Sequence, residues 1–314
     1  MPLLEAREPG LYCPAGDFYI DPWMPVARAI ITHAHADHVC AGCASYLTAR
    51  AGEALLRARL PGESIQSAAY GERIALGGVT ISLRPAGHIL GSAQIRIEQG
   101  GEVWVVSGDY KLTPDRTCEP FEPLRCHTFV TESTFALPIF RWPAEVDVMD
   151  AIHGWWRANR EAGLTSSLYV NPLGKAQRVL ASLDISIGPI QVHSSIERFN
   201  ELYRSHGIDL PRPTASGPAP LILAPPGAPR APNASTALIS GWMRIRGTRR
   251  RRSLDRGFVL SDHADWPALL SAVDETRAET VWVTHGYIAP LVRWLEEHGR
   301  RARGVETRLA EGES

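Results

Sequence analysis

Three histidines and an aspartate crowd into the segment Thr32-His33-Ala34-His35-Ala36-Asp37-His38, directly after the apolar run Ala29-Ile30-Ile31. Imidazole and carboxylate donors suit zinc, and with a different balance manganese or iron. A tight loop there can turn His33 and His35 to one side and Asp37 and His38 to another, which serves two metals better than one. A polar loop of solvated histidines is the competing reading. More donors stand where apolar strands should end. His88 follows Ala86-Gly87, Asp109 follows Ser107-Gly108, and His285 follows Val281-Trp282-Val283-Thr284. Alone, each reads as a loop residue. Together they repeat one arrangement, a strand that ends in a donor on a loop of small residues, with Asp109 as the natural bridging carboxylate.

The elements that must hold these donors are legible from periodicity. Val79 to Leu83 alternates apolar and polar residues, as a half-buried strand does. Gln94 to Glu98 and Glu102 to Val106 flank Gly100-Gly101, a hairpin signal. Residues 28–32 and 128–131 read as buried strands. Helices are expected at 50–60, 144–161, 175–183, 195–206, 265–277 and 288–298. Between about 140 and 240, strand-like 167–170, 190–193 and 221–224 alternate with helical segments, as in a small parallel sheet. Residues 211–234 are rich in Pro, Ala and Gly, and much of that stretch reads as loop.

The set His33-x-His35-x-Asp37-His38, Gly87-His88, Gly108-Asp109 and His285 resembles the ligand signature of the metallo-β-lactamase fold. Ala86-Gly87-His88-Ile89-Leu90-Gly91-Ser92 and Ser107-Gly108-Asp109-Tyr110 are similar to its nucleic-acid-processing branch, the β-CASP nucleases. Thr131-Glu132-Ser133-Thr134 resembles motif A of that branch, Ser261-Asp262-His263-Ala264-Asp265 motif B, and Thr284-His285-Gly286 motif C. Gly174-Lys175-Ala176-Gln177 resembles the start of a helix in the β-CASP insert. Gly10 to Pro14 and Gly16 to Trp23 narrow the likeness to bacterial ligase-associated DNA exonucleases.

The resemblance implies a mixed α/β (α+β) chain. An αββα sandwich would be formed by 1–140 and 241–314, with a short β-CASP-like α/β lobe inserted at 141–240. It implies two divalent ions, zinc or manganese. His33, His35 and His88 would hold one, Asp37, His38 and His285 the other, and Asp109 both. Such a pair activates a water for attack on phosphorus. His263 would protonate the leaving oxygen, with Glu132 orienting it. Asp21, at the end of an early strand, is either an orienting partner of a ligand histidine or a turn cap. The implied substrate is DNA, attacked at single-stranded 5′ ends during repair, in association with a ligase and a helicase. An RNA-processing nuclease of the same branch is the first alternative, and a thioester or lactone hydrolase on the same fold the second.

Composition fits and limits these readings. The 314 residues carry net charge −1, so polyanion binding must come from a local patch. Of the 33 basic residues, 31 are arginine; only Lys111 and Lys175 are lysine. Arg249, Arg250, Arg251 and Arg252 form the one dense basic run, and with Lys175 they are the expected nucleic-acid contacts, although such a run is often simply a solvated loop. No stretch approaches 18 consecutive apolar residues, and the first residues lack the pattern of a signal peptide, so no membrane partner and a cytoplasmic location are expected. Five cysteines without an export signal make a disulfide framework improbable, and Cys40-Ala41-Gly42-Cys43 reads as incidental. Core packing is the expected role of Trp104, Trp282, Trp155 and Trp156. His127, His153, His193, His206 and His298 have no motif company.

Overall fold

A computed structural model describes residues 2–214, 217–245, 247–248 and 253–305. The chain divides into two compact units, Met1–Pro138 with His263–Ser314, and Ile139–Asp262.

The first unit begins with β1 (Glu5–Arg7), β2 (Gly10–Cys13), β3 (Phe18–Ile20), β4 (Ala29–Ile30), β5 (Tyr46–Ala49) and β6 (Ile65–Ala68), with α1 (Glu53–Arg59) between the last two. The six strands form one sheet in chain order, antiparallel from β1 to β3 and parallel from β3 to β6. β7 (Ile74–Leu76), β8 (Val79–Pro85), β9 (Ala93–Gln99), β10 (Glu102–Val106) and β11 (Thr128–Ser133) then build most of a second sheet. Gly100 and Gly101 close the β9–β10 hairpin, both in the left-handed region that a two-residue turn of this kind needs.

The second unit comprises α2 (Glu145–Glu161), β12 (Thr165–Tyr169), α3 (Lys175–Ala181), β13 (Ile190–Val192), α4 (Ser194–Ser205), β14 (Leu221–Ala224), β15 (Ala234–Ile239) and β16 (Arg256–Phe258). Its five strands are all parallel, in the order β13-β14-β12-β15-β16. The expected return to the first unit at 241 falls too early. β16 pairs with β15, with Ala237, Leu238 and Ile239 opposite Arg256, Gly257 and Phe258, and so carries this unit to Asp262. Three residues, Arg256-Gly257-Phe258, are too few for the sequence to show which sheet the strand before motif B joins.

The chain re-enters the first unit with α5 (Trp266–Thr276), β17 (Thr280–Gly286), α6 (Ile288–Glu297) and β18 (Arg301–Gly304). The second sheet is thereby completed in the order β18-β17-β11-β10-β9-β8-β7. Successive side chains on its central strands alternate between two cores. Trp104, Val106, Val130 and Trp282 face inward, where they pack with Leu11, Phe18, Ile20, Ile30 and Leu47 of the first sheet. Val105, Phe129, Val281 and Val283 face outward under Trp266 and Leu269 of α5 and Leu291 and Leu295 of α6. On the other outer face Ala29, Ile31 and Tyr46 pack with Leu56 of α1 and with Leu60 just beyond its end. The result is the αββα sandwich. Trp155 and Trp156 are also buried, on α2 of the second unit.

This layering positions the donors. β10, β11 and β17 are parallel neighbours, and β8, antiparallel to β9 as β10 is, runs the same way. The residues that follow or end them, His88, Asp109, Glu132 and His285, therefore emerge at one rim of the sheet. Close packing of the loops requires glycine at Gly286, where φ is +90° and a β-carbon would come within 2.4 Å of the Ser133 carbonyl.

Candidate metal centre

Four donors from three loops meet in one place. His33, His35, His88 and Asp109 are all buried and can each bring one ligand atom within 4.8 Å of the others. His35 Nδ1 lies 3.1 Å from His33 Nε2 and 3.0 Å from His88 Nε2. Asp109 Oδ2 is 3.5 Å from His33 Nε2 and 3.8 Å from His88 Nε2. A second group, His38, Asp109 and His285, shares the carboxylate. His38 Nε2 is 3.3 Å from Asp109 Oδ2, and His285 Nε2 is 2.9 Å from Oδ1. The two oxygens of Asp109 thus face both groups, as a bridging carboxylate must. Asp37 stands at the margin. Its Oδ2 is 4.0 Å from His38 Nε2, its side chain is 29% exposed, and among the described residues it joins neither group.

Hydrogen bonding shows that this donor set fits cations. A neutral imidazole has one N–H, so His35 Nδ1 can donate to His33 or to His88 but not to both. That nitrogen has one in-plane site, so it cannot make a well-aligned hydrogen bond to both. His38 Nε2 is buried and makes no hydrogen bond, although Asp109 is near. A buried polar atom without a partner costs roughly 1–3 kcal/mol. Ligand atoms on one zinc are at most about 4.2 Å apart, twice a bond of about 2.1 Å. The separations given above fall within that limit in both groups, and so does the Asp37–His38 separation.

The neighbouring groups hold the rings in position. Asp21, in the left-handed region at φ +42°, accepts the Thr32 N–H at 2.8 Å, the Thr32 hydroxyl at 2.6 Å and His38 Nδ1–H at 2.8 Å. It is therefore an orienting partner of His38 and also ties down the loop entrance. Burial opposes a charge on the His38 ring, but Asp109 and Asp21 outweigh it and hold its pKa well above the usual value. Burial, reinforced by His38, pushes His33 well below it. Burial alone would raise Asp109; its interactions with the rings of His38, His285 and His263 prevail and keep it well below the usual carboxylate range.

Beside the donors lies a second pair. Glu132 Oε2 accepts from His263 Nδ1 at 3.0 Å, and its Oε1 accepts the Tyr110 N–H at 2.8 Å. His263 Nδ1 is 3.9 Å from Asp109 Oδ2. Glu132 and His263 are 1% and 4% exposed, so the pair is withdrawn from water.

The expected nucleic-acid contacts fare differently. Arg249, Arg250, Arg251 and Arg252 lie outside the described residues. Lys175 requires a correction: it is 1% exposed, and its Nζ is 3.1 Å from Asp262 Oδ1 within the second unit. A buried, ion-paired ammonium is not a surface phosphate contact. Residue type suggested the role, and position in the first turn of a packed helix overrides it. Arg178, one turn on, is equally buried and donates to the Ser261 carbonyl at 3.2 Å. Thr32 and Thr284 were not singled out by the sequence, although each directly precedes a donor histidine. The five cysteines are free thiols.

No family model matches the chain. Among solved structures, a protein of unknown function from Enterococcus faecalis V583 superposes with TM-score 0.60 at 12% identity, over 90% of this chain and 79% of that one, a likeness of fold alone. A probable DNA ligase of Opitutus terrae is 31% identical over 309 residues, 94% of this chain and 30% of that protein. Endoribonuclease YSH1 of Yarrowia lipolytica is 30% identical over 147 residues, 45% of this chain and 17% of that protein. Transcription termination factor FttA of Pyrococcus horikoshii is 31% identical over 134 residues, 39% of this chain and 20% of that protein. These similarities are consistent with the β-CASP branch of the metallo-β-lactamase fold. The chain spans less than a third of the length of these curated relatives. No helix among its described residues is long and apolar enough to cross a membrane.

Proposed function

We propose that the protein is a metal-dependent phosphodiester hydrolase that removes nucleotides from single-stranded DNA ends, from the 5′ end, in DNA repair. The observation that carries this reading is the Glu132–His263 pair set against Asp109. A buried acid–base pair beside the metal donors suits a leaving alkoxide that must be protonated.

His33, His35, His88 and Asp109 would hold one ion, and Asp37, His38, His285 and Asp109 the other. Two divalent ions, zinc or manganese, would supply there an activated water and neutralisation of charge on the phosphoryl oxygens. Asp109 holds the two groups in fixed relation. Asp21 and Asp109 orient the His38 ring. Glu132 keeps the His263 Nδ1–H engaged, so Nε2 is the atom that delivers a proton to the departing oxygen. Arg249 to Arg252 would steer the polyanion.

The match to a probable DNA ligase over 94% of the chain favours DNA and a ligase partner; a helicase partner rests on the resemblance to ligase-associated exonucleases. The shorter match to an endoribonuclease supports RNA as the second reading. Single-stranded DNA and RNA of one sequence, labelled at the 5′ or the 3′ end, separate the two. Mononucleotides released at once from 5′-labelled DNA support the proposal. Cleavage of RNA alone moves the protein to RNA processing.

A further inference from the structure

We infer that Thr32 and Thr284 are positioning residues that fix the tautomer of one histidine in each metal group. This rests on the two-metal reading above. The Thr32 hydroxyl is 2.6 Å from Asp21 Oδ2 and 3.0 Å from His33 Nδ1. A hydroxyl has one hydrogen, and the carboxylate can only accept. Thr32 therefore donates to Asp21 and accepts from His33 Nδ1–H. That leaves a lone pair on His33 Nε2, the atom that faces His35 and Asp109. The same device recurs on β17. The Thr284 hydroxyl donates to the Thr131 carbonyl at 3.1 Å and lies 3.2 Å from His285 Nδ1. His285 Nδ1–H must then be the donor, which reserves Nε2, 2.9 Å from Asp109 Oδ1, for a metal.

A β-carbon on Gly108 would come within 2.7 Å of Thr32 Cβ, so Thr32 is held against the loop that carries Asp109. Both hydroxyls are buried, at residues 1% and 7% exposed, so water does not supply the missing acceptor. Valine keeps the shape and removes only the hydroxyl. Serine keeps the hydroxyl and removes the methyl group.

The test is zinc affinity by chelator competition on the purified full chain, with ring ¹⁵N spectra of the zinc-loaded protein. Wild type should bind two equivalents, with His33 and His285 protonated at Nδ1. Thr32→Val should weaken one equivalent about 10–100-fold, and Thr284→Val the other, the range seen when a ligand's hydrogen-bond partner is removed. The double variant should weaken both, and Thr32→Ser and Thr284→Ser should restore them. Two tight equivalents in both valine variants overturn the threonine role and leave the metal centre standing. Serine variants as weak as the valine ones also overturn it, because shape then matters and the hydroxyl does not. A wild type that binds no zinc overturns the two-metal reading and this inference together.

Discussion

Glu132 Oε2 accepts from His263 Nδ1 at 3.0 Å, joining residues 131 positions apart in the sequence. The other oxygen of Glu132 accepts the Tyr110 N–H, the residue next to Asp109. One carboxylate thus fixes the distance between the proposed acid and the bridging ligand.

His263→Ala should lower kcat by about 10²–10⁴, the usual contribution of a positioned acid, with metal content unchanged. Glu132→Gln should lower kcat less, because the amide still aligns the ring but no longer favours its charged form. Metal analysis and steady-state rates on the same preparations check both. Metal loss in His263→Ala would make His263 a ligand, which its place in a group with Asp109 and Glu132 would permit.

Zinc affinity should rise with pH above neutrality. The His38 pKa is raised, so in the metal-free fold the charged ring adds stability that is complete below about pH 6.5 and is lost as pH climbs through the raised value. Zinc must displace that proton, which costs affinity in the same window, about tenfold per pH unit for one proton. His33 is depressed and already neutral at pH 7, so it adds no competition there. Chelator competition between pH 6.5 and pH 9 tests this; a flat profile would mean that His38 binds no metal.

Much of the centre could be read from the sequence because its donors repeat one local pattern, a strand end followed by a small residue and a ligand. His88 and Asp109 follow Gly87 and Gly108 in that way. The helices at 145–161 and 288–297 were equally legible from their apolar spacing. The short strands were not. β1, β16 and β18 have three or four residues each, too few to display a period. The role of Lys175 was illegible for a related reason: charge is a property of the residue, while burial beside Asp262 is a property of the fold.

Lys175→Met should destabilise the protein by roughly 3–5 kcal/mol, since it strips a buried carboxylate of its cation. Adding Asp262→Leu should recover much of that loss. Urea unfolding of the two variants measures it. The salt dependence of DNA binding should stay as in wild type, because a buried lysine releases no counterions. A shallower salt slope in Lys175→Met would return Lys175 to the nucleic-acid surface.

The central claim is that a two-metal centre on Asp109 hydrolyses phosphodiester bonds. The most direct measurement strips the protein with chelator, returns zinc or manganese stepwise, and follows cleavage of 5′-labelled single-stranded DNA beside Asp109→Ala. Cleavage that is absent in the stripped protein, saturates at two equivalents per chain and never appears in the variant is the predicted result. Cleavage that is indifferent to metal, or none of DNA or RNA with two equivalents bound, would contradict it.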